Sequence, residues 1–169
     1  MAVLSRARGI ALAGVTALAV VAPLAPTTPV ATASAAPVAQ VTSTAVSTAT
    51  FRERQRKVMR TGKALRGVPY VYGGSTPRGF DCSGFTMYVF RKALGKRLPH
   101  SATMQMHKAR TIKKSRAKRG DLVFFRDGSR AYHVGIYAGR GRVLHSPRPG
   151  QRVHIAPIWT SNVTYGRLI

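Results

Sequence analysis

Residues 70–90 read YVYGGSTPRGFDCSGFTMYVF and contain Cys82, the only cysteine of the 169-residue chain. After Cys82, apolar residues recur at the spacing that places one face of an α-helix against a core, and Gly95 supplies a stop signal. Before it, glycines and Pro77 interrupt regular structure, and Asp81 can cap the helix that follows. The stretch therefore predicts a loop followed by a helix that begins at Cys82.

The position of Cys82 at a helix N-terminus predicts an activated thiol. Free backbone N–H groups and the helix dipole favour an anion there, and they can lower a thiol pKa from about 8.5 into the range of roughly 3.5 to 7.5. Its neighbours Ser83 and Gly84 are small, and we expect them to leave room for a substrate at the sulfur. A buried structural cysteine is the alternative, because free cysteines are often buried. We favour a nucleophile.

The first 35 residues predict a signal peptide. Arg6 and Arg8 form a basic segment, residues 9–24 are apolar, and the tripeptide ASA at 33–35 offers a cleavage site. A membrane anchor is the alternative, but the apolar run is shorter than the ~20 residues that a spanning helix needs. We therefore expect a secreted protein, extracellular or associated with the cell wall. In such a protein an unpaired cysteine is a candidate reactive thiol.

The remaining chain predicts a short N-terminal extension followed by one domain. Residues 36–50 are rich in Ala, Thr, Ser and Val and carry no charge, which indicates a flexible N-terminal extension. Residues 51–169 have the length of one ordinary domain with a single core.

Helical patterns precede strand patterns within this domain. Helices are predicted at 51–66, from Cys82 to Gly95 and at 101–109, the last capped by Ser101. After Gly120, short β-rich runs are separated by tight turns, which predicts neighbouring antiparallel strands. This order indicates an α+β fold in which a sheet packs on the Cys82 helix.

Two histidines fall on neighbouring predicted strands. Alternation places His133 and Val134 on opposite faces of one strand, and His145 closes the next strand. A cysteine peptidase needs a base near the sulfur and a third polar group that orients the imidazole, and this pair could supply both. His154 is the alternative third member because it also lies near a strand end. With one cysteine and no C-x-x-C or H-x-x-x-H spacing, we expect no metal and no cofactor.

Several motifs together resemble one known family. They are YVYGGSTPRGFDCSGF at 70–85, Leu98-Pro99 with Ser101 and Gln105, GDLVFF at 120–125, HVGIY at 133–137 and Leu144-His145. In this order they resemble the NlpC family of cell-wall cysteine endopeptidases, over essentially all of the domain from about residue 55. The resemblance implies a papain-like α+β fold. It also implies cleavage within peptidoglycan stem peptides, at the bond between the γ-carboxyl of D-isoglutamate and a diamino acid.

The resemblance also implies the roles of the catalytic residues. Cys82 matches the nucleophile, His133 the general base and His145 the third polar residue of the family.

Further positions match the family around the substrate. Tyr70 matches the tyrosine near the oxyanion site, while Asp81 and Ser83 match positions that in some relatives hold the substrate's amino group. The chain departs from the family at His100, where relatives often carry arginine, and it shows no LysM-like or SH3-like wall-binding module.

The chain is strongly basic, with 28 Lys and Arg against 4 Asp and Glu and a formal net charge of +24. Such a charge attracts polyanions. The densest run comprises Lys108, Arg110, Lys113, Lys114, Arg116, Lys118 and Arg119. For a wall enzyme we expect it to bind anionic wall polymers, with a solvated basic loop as the alternative. No nucleic-acid-reading motif accompanies the charge, so we expect no specific nucleic-acid partner.

Two other functions remain open at this stage. A CHAP-like N-acetylmuramoyl-L-alanine amidase shares the Cys-His order, but its third residue is usually acidic and its motif lacks the Y-G-G and F-D-C-S-G pattern. A non-catalytic cationic wall-binding protein would not need the set of Cys82, His133 and His145. We expect a monomer that acts on peptidoglycan stem peptides.

Overall fold

The computed structural model describes residues 39–169, with side chains from residue 50 onward. The predicted signal peptide at residues 1–35 lies outside this part of the chain. Within the described part, no helix combines the length and apolar character needed to cross a membrane.

The described chain folds into helices followed by an antiparallel sheet. The helices are α1 (Ala39–Ala64), α2 (Cys82–Leu94) and α3 (Ala102–Lys108), with a 3-10 turn at Lys114–Arg116. The strands are β1 (Ser75–Thr76), β2 (Gly79–Phe80), β3 (Arg110–Ile112), β4 (Leu122–Asp127), β5 (Arg130–Gly139), β6 (Arg142–His145), β7 (His154–Pro157) and β8 (Val163–Arg167). Six strands form one sheet in the order β3-β8-β4-β5-β6-β7, and β1 pairs with β2 separately. The α+β prediction is confirmed.

Both ends of α2 form as predicted. Oδ1 of Asp81 accepts a hydrogen bond of 2.6 Å from the Gly84 backbone N–H, and Gly95 takes the left-handed conformation at φ 68°. The buried face of the helix, which includes Phe85 and Phe90, enters the main core. These caps and contacts place Cys82 at the first position of the helix.

Strand β5 separates two apolar layers, as the alternation predicts. Val134 and Ile136 join the core that contains α1 and α2. On the opposite face, the ring of His133 lies 5.4 Å from that of Phe125, which belongs to a second cluster. His133 is therefore directed away from the main core while Val134, its neighbour in the chain, enters it.

Two segments have regular structure that the sequence did not predict. Helix α1 begins at Ala39, so it includes residues 39–50 of the predicted flexible extension. That segment contains neither glycine nor proline and includes alanine, the best helix former, so nothing interrupts the helix. In the basic run, residues 110–112 form β3 on the edge of β8, since a free strand edge offers backbone partners and leaves the charged side chains in solvent.

Candidate active site

Cys82 starts α2 and lies against strand β5. Its side chain is partly buried. The backbone amide of Val134 forms a hydrogen bond that favours its thiolate, which places the sulfur next to the backbone of β5. Because His133 precedes Val134, the helix start and the histidine strand meet at this point.

The thiol is less acidic than its helix position predicts. Burial raises the pKa of Cys82, and the negative charge of Asp81 adds to this, although hydrogen bonds from the amides of Val134, Ser83 and Cys82 itself oppose it. The expected lowering of the Cys82 pKa is therefore wrong in direction. The carboxylate that caps the helix offsets the dipole at the same point, and desolvation disfavours the charged sulfur.

His133 and His145 form a buried pair on neighbouring strands. Nε2 of His133 lies 2.8 Å from Nδ1 of His145, and the residues are 6% and 3% exposed. Gly135 makes room for this contact: a Cβ there would lie 3.0 Å from Cβ of His145 and 2.4 Å from Cγ2 of Val143. The structure thus brings the two predicted histidines together, while their catalytic roles stay predictions.

His154 lies on the far side of His145. It is the cross-strand partner of His145, with ring centroids 5.1 Å apart. Its Nδ1 lies 2.7 Å from the carbonyl oxygen of Arg152, which can only accept, so Nδ1 is the donor. Nε2 of His133 is hydrogen-bonded to His145, which is the contact that the predicted third residue needs in order to orient the imidazole. His154 contacts His145 instead.

Both histidines of the pair are neutral at physiological pH. Burial lowers the pKa of His133 to about 4. Burial also lowers the pKa of His145 to about 3, and the charges of His133 and His154 add to this. With Nε2 of His133 bonded to His145, Nδ1 is the ring nitrogen of His133 that this hydrogen bond leaves unused.

Tyr70 lies near both the sulfur and the helix cap. Burial raises its pKa, and the charges of Cys82 and Asp81 raise it further. The phenol therefore stays protonated and can donate a hydrogen bond beside the sulfur. This placement suits the predicted oxyanion role, which stays a prediction.

Asp81 ties the preceding loop to the helix. Beyond the Gly84 cap, it accepts from the Gly73 N–H at 3.1 Å and from the Ser83 hydroxyl at 3.1 Å, and it lies 2.7 Å from Nε2 of His100. These contacts fix the start of α2, and His100 is one of the four partners. The predicted contacts of Asp81 and Ser83 with a substrate amino group stay predictions.

The small residues after Cys82 allow the preceding loop to pack against the start of α2. A Cβ on Gly84 would lie 2.1 Å from the carbonyl oxygen of Gly74, and Ser83 is only 6% exposed. The expectation that Ser83 and Gly84 leave room for a substrate is therefore wrong at Gly84, because backbone from the loop fills that space.

A buried glutamine links α3 to the start of α2. Nε2 of Gln105 donates to the carbonyls of Ser83 at 2.9 Å and Pro99 at 2.8 Å, and its Oε1 accepts from the Thr86 hydroxyl at 2.6 Å. In the sequence, Gln105 is noticeable only as one of the residues that carry the family resemblance. Its positioning role depends on tertiary contacts that spacing does not reveal.

Trp159 is a site neighbour that the sequence analysis did not identify. Its ring stacks on Phe125 at 3.8 Å and lies 5.6 Å from the ring of His133 and 5.5 Å from that of His145. It is nevertheless 51% exposed. The available signal was that it is the only tryptophan of the chain. A half-exposed tryptophan beside buried histidines marks a surface that can bind a ligand.

Metal binding has no support in the described residues 39–169, where no group of three or more His, Cys, Asp or Glu side chains could hold an ion.

Comparison with known proteins relates this site to one family. Residues 67–166 match the NlpC/P60 family. The murein DD-endopeptidase MepH of Escherichia coli (strain K12) is 45% identical over 97 residues, covering 54% of this chain and 36% of the relative. The gamma-D-glutamyl-L-lysine dipeptidyl-peptidase of Bacillus subtilis (strain 168) is 39% identical over 116 residues, covering 67% of this chain and 39% of the relative. The chain thus spans less than half the length of either curated relative.

A solved structure agrees with the family assignment. The NlpC/p60 domain of the peptidoglycan hydrolase SagA superposes with a TM-score of 0.64 at 34% identity, covering 68% of this chain and 98% of that one. The predicted papain-like α+β fold is confirmed by this similarity. With 100 consecutive residues matching the family model, this chain belongs to the NlpC/P60 family.

Proposed function

We propose that this protein is a cysteine peptidase that hydrolyses peptide bonds in peptidoglycan. The observation that carries the proposal is a thiol at a helix start, Cys82, next to the strand of the hydrogen-bonded His133–His145 pair. The curated relatives support the substrate class, since one is named a murein endopeptidase and another a γ-D-glutamyl-L-lysine dipeptidyl-peptidase.

The mechanism begins from a neutral thiol and a neutral imidazole. As the sulfur of Cys82 attacks the amide carbonyl carbon, Nδ1 of His133 takes the thiol proton. Nε2–H of His133 donates to Nδ1 of His145, which stabilises the imidazolium that forms. Backbone N–H groups at the start of α2 and the Tyr70 hydroxyl stabilise the oxyanion.

The second half of the cycle returns the enzyme to its starting state. His133 donates its proton to the leaving amine, the C–N bond breaks, and a thioester to Cys82 remains. Water then attacks the thioester while His133 accepts its proton. The carboxyl product leaves, and the proton on His133 returns to the sulfur.

We propose the bond between the γ-carboxyl of D-isoglutamate and the diamino acid as the one that is cleaved. The γ-D-glutamyl-L-lysine enzyme supports this choice, whereas the DD-endopeptidase is named for a different linkage. A CHAP-like amidase would release whole stem peptides, and a non-catalytic wall-binding protein would give no product.

Mass spectrometry of muropeptides separates these functions. The protein without residues 1–35 is incubated with purified muropeptides, with the Cys82→Ala variant as the matched control. New fragments that end at the γ-linked glutamate, formed only by the parent protein, are expected. Whole stem peptides would instead identify an amidase, and an unchanged spectrum would contradict an enzymatic function.

We also propose that the protein is exported and bound to anionic wall polymers. Arg119 of the basic run shares a cavity of about 580 Å³ with Arg52, Arg56, Arg60 and Lys63 of α1. Converging cations of this kind attract polyanions. N-terminal sequencing of the protein recovered from culture medium tests export: a mature N-terminus near residue 36 supports it, and recovery of the intact chain only from the cytoplasm contradicts it.

A further inference from the structure

A second cavity adjoins the histidine pair. It has a volume of about 620 Å³. Its lining includes His133, His145, Arg148, Gln151, His154 and Trp159, but not Cys82. The cavity therefore lies beside the His133–His145 pair, next to β6, β7 and the loop that follows β7. The mechanism proposed above makes no use of this space.

His145, which lines this cavity, carries a polar atom without a partner. The residue is only 3% exposed, and its buried Nε2 has no hydrogen-bond partner among the described residues. Leaving a buried donor or acceptor unsatisfied costs about 1–3 kcal/mol, so such atoms usually meet a ligand or water. Since His145 lines the cavity, a group that enters there can supply the missing partner.

The tautomer of the pair makes this atom a donor. This step rests on the proposed function, in which Nδ1 of His133 must be free to take the thiol proton. Nε2 of His133 then carries the hydrogen and donates to Nδ1 of His145. A neutral imidazole has one N–H, so the hydrogen of His145 is on Nε2. The catalytically useful state therefore leaves a buried N–H group on His145 that requires an acceptor.

The other lining residues favour an anionic acceptor. Arg148 contributes a positive charge, and the cavity lining contains no Asp or Glu. Pro147, Pro157 and the Trp159 ring add apolar walls. We propose that this cavity is a subsite for a carboxylate of the substrate, which accepts from Nε2–H of His145 and pairs with Arg148. Stem peptides carry free carboxylates, so the ligand class agrees with the proposed substrate.

Occupation of the subsite would couple substrate binding to catalysis. A carboxylate on Nε2–H of His145 holds the tautomer in which His133 can act as base. Trp159, which also lines the cavity, is half exposed, and its ring centroid lies 5.5 Å from that of His145. As the only tryptophan of the chain, it also reports the event by its fluorescence.

The test measures binding without turnover. The chain with Cys82→Ala is titrated with γ-D-glutamyl-L-lysine and, separately, with the diamide of this dipeptide, while Trp159 fluorescence is recorded. The free acid should change the fluorescence and bind at least about tenfold more tightly than the diamide, as expected for a charge-assisted hydrogen bond. Arg148→Gln should remove this preference and Arg148→Lys should retain part of it. Arg130→Gln, an exposed arginine on the β4–β5 hairpin, should not change it.

Three outcomes would overturn the subsite. They are equal affinity for the acid and the diamide, an unchanged preference in Arg148→Gln, or competition by inorganic phosphate at the same concentration as the dipeptide, which would indicate a general anion site. Parallel digestion of muropeptides by the parent protein separates the two proposals. Turnover together with equal affinities overturns the subsite alone, whereas carboxylate preference without turnover overturns the peptidase proposal alone.

Discussion

Nε2 of His133 and Nδ1 of His145 are joined by a hydrogen bond of 2.8 Å in a setting where burial lowers the pKa of the first ring to about 4 and of the second to about 3. Because burial also raises the pKa of Cys82, the resting site holds a thiol and two neutral rings rather than a thiolate–imidazolium pair. In the proposed mechanism, the proton therefore moves during the attack on the substrate. This relationship determines how the site should respond to mutation and to pH.

Substitution of the cysteine tests the nucleophile and its protonation state together. Cys82→Ala and Cys82→Ser should abolish cleavage and retain the fold, because the side chain is only partly buried at the edge of the main core and both replacements are small. In the native protein, alkylation by iodoacetamide should accelerate as pH rises above neutrality. Only the thiolate reacts, and burial raises the pKa of the Cys82 thiol. A rate that is already maximal at pH 6 would show that a thiolate is present at rest.

Substitution of the two histidines should have unequal effects. His133→Ala removes the base and should lower kcat/KM by about 10²–10⁴-fold. His145→Gln should retain measurable activity, because an amide can still accept from Nε2–H of His133 and hold the ring. Steady-state kinetics on a soluble muropeptide measure both. If His154→Ala were the damaging change and His145→Ala harmless, the third member would have to be reassigned to His154.

Local sequence signals are sufficient to predict the helix that begins at Cys82. The Asp81 cap and the Gly95 stop act within a few residues, so both ends of α2 follow from the sequence. The alternation along β5 likewise separates His133 from Val134, because the side-chain period of a strand is independent of what packs on it. The predicted proximity of His133 and His145 follows from the short turn between β5 and β6.

Properties that depend on burial could not be predicted from local sequence signals. The direction of the Cys82 pKa shift follows from desolvation and from the Asp81 charge at the same helix end, and a helix pattern does not report burial. Trp159 reaches the histidines only because the loop after β7 folds back onto Phe125. Strand β3 forms because β8 leaves a free edge beside it, a circumstance that the basic run itself does not encode.

Acidification should destabilise the fold through the same two histidines. Their pKa values fall from 6.5 in the unfolded chain to about 4 and about 3 in the folded protein, so between these limits the unfolded state binds more protons. Their stabilising contribution is present above pH 6.5 and is lost as pH falls toward 3 to 4. For His133 alone it amounts to on the order of 3 kcal/mol.

Urea denaturation at pH 7.5, 5.5 and 4.5 measures this effect. For each titrating histidine, the free energy of unfolding should fall by about 1.4 kcal/mol in total from pH 7.5 to 5.5, and by about as much again from pH 5.5 to 4.5. The variant His145→Gln has one such group fewer, so its curve should be correspondingly shallower than that of the parent. Parallel curves for parent and variant would contradict the buried, neutral state of His145.

The basic surface offers a test of wall binding in which two sets of cations can be compared. One set consists of four cations of the basic run, Lys113, Lys114, Arg116 and Lys118. The other set consists of the α1 cations that line the cavity, Arg52, Arg56, Arg60 and Lys63. Replacing the α1 set with Gln should weaken pelleting with intact sacculi more than replacing the run does, because the α1 cations converge with Arg119 on one cavity. Glutamine keeps the helix propensity of the replaced residues, so α1 should remain folded.

Salt and substrate size provide the controls for this comparison. At ~1 M salt the screening length shrinks to about 3 Å, so pelleting of the parent should fall to the level of the α1 variant. Sacculi stripped of teichoic acids should bind parent and variant alike, if phosphate polymers are the partner. Hydrolysis of a small soluble muropeptide should change little in either variant, because that substrate is bound around Cys82 and not by a distant field. Equal pelleting of the parent and both variants at low salt would mean that the charge only solvates the surface.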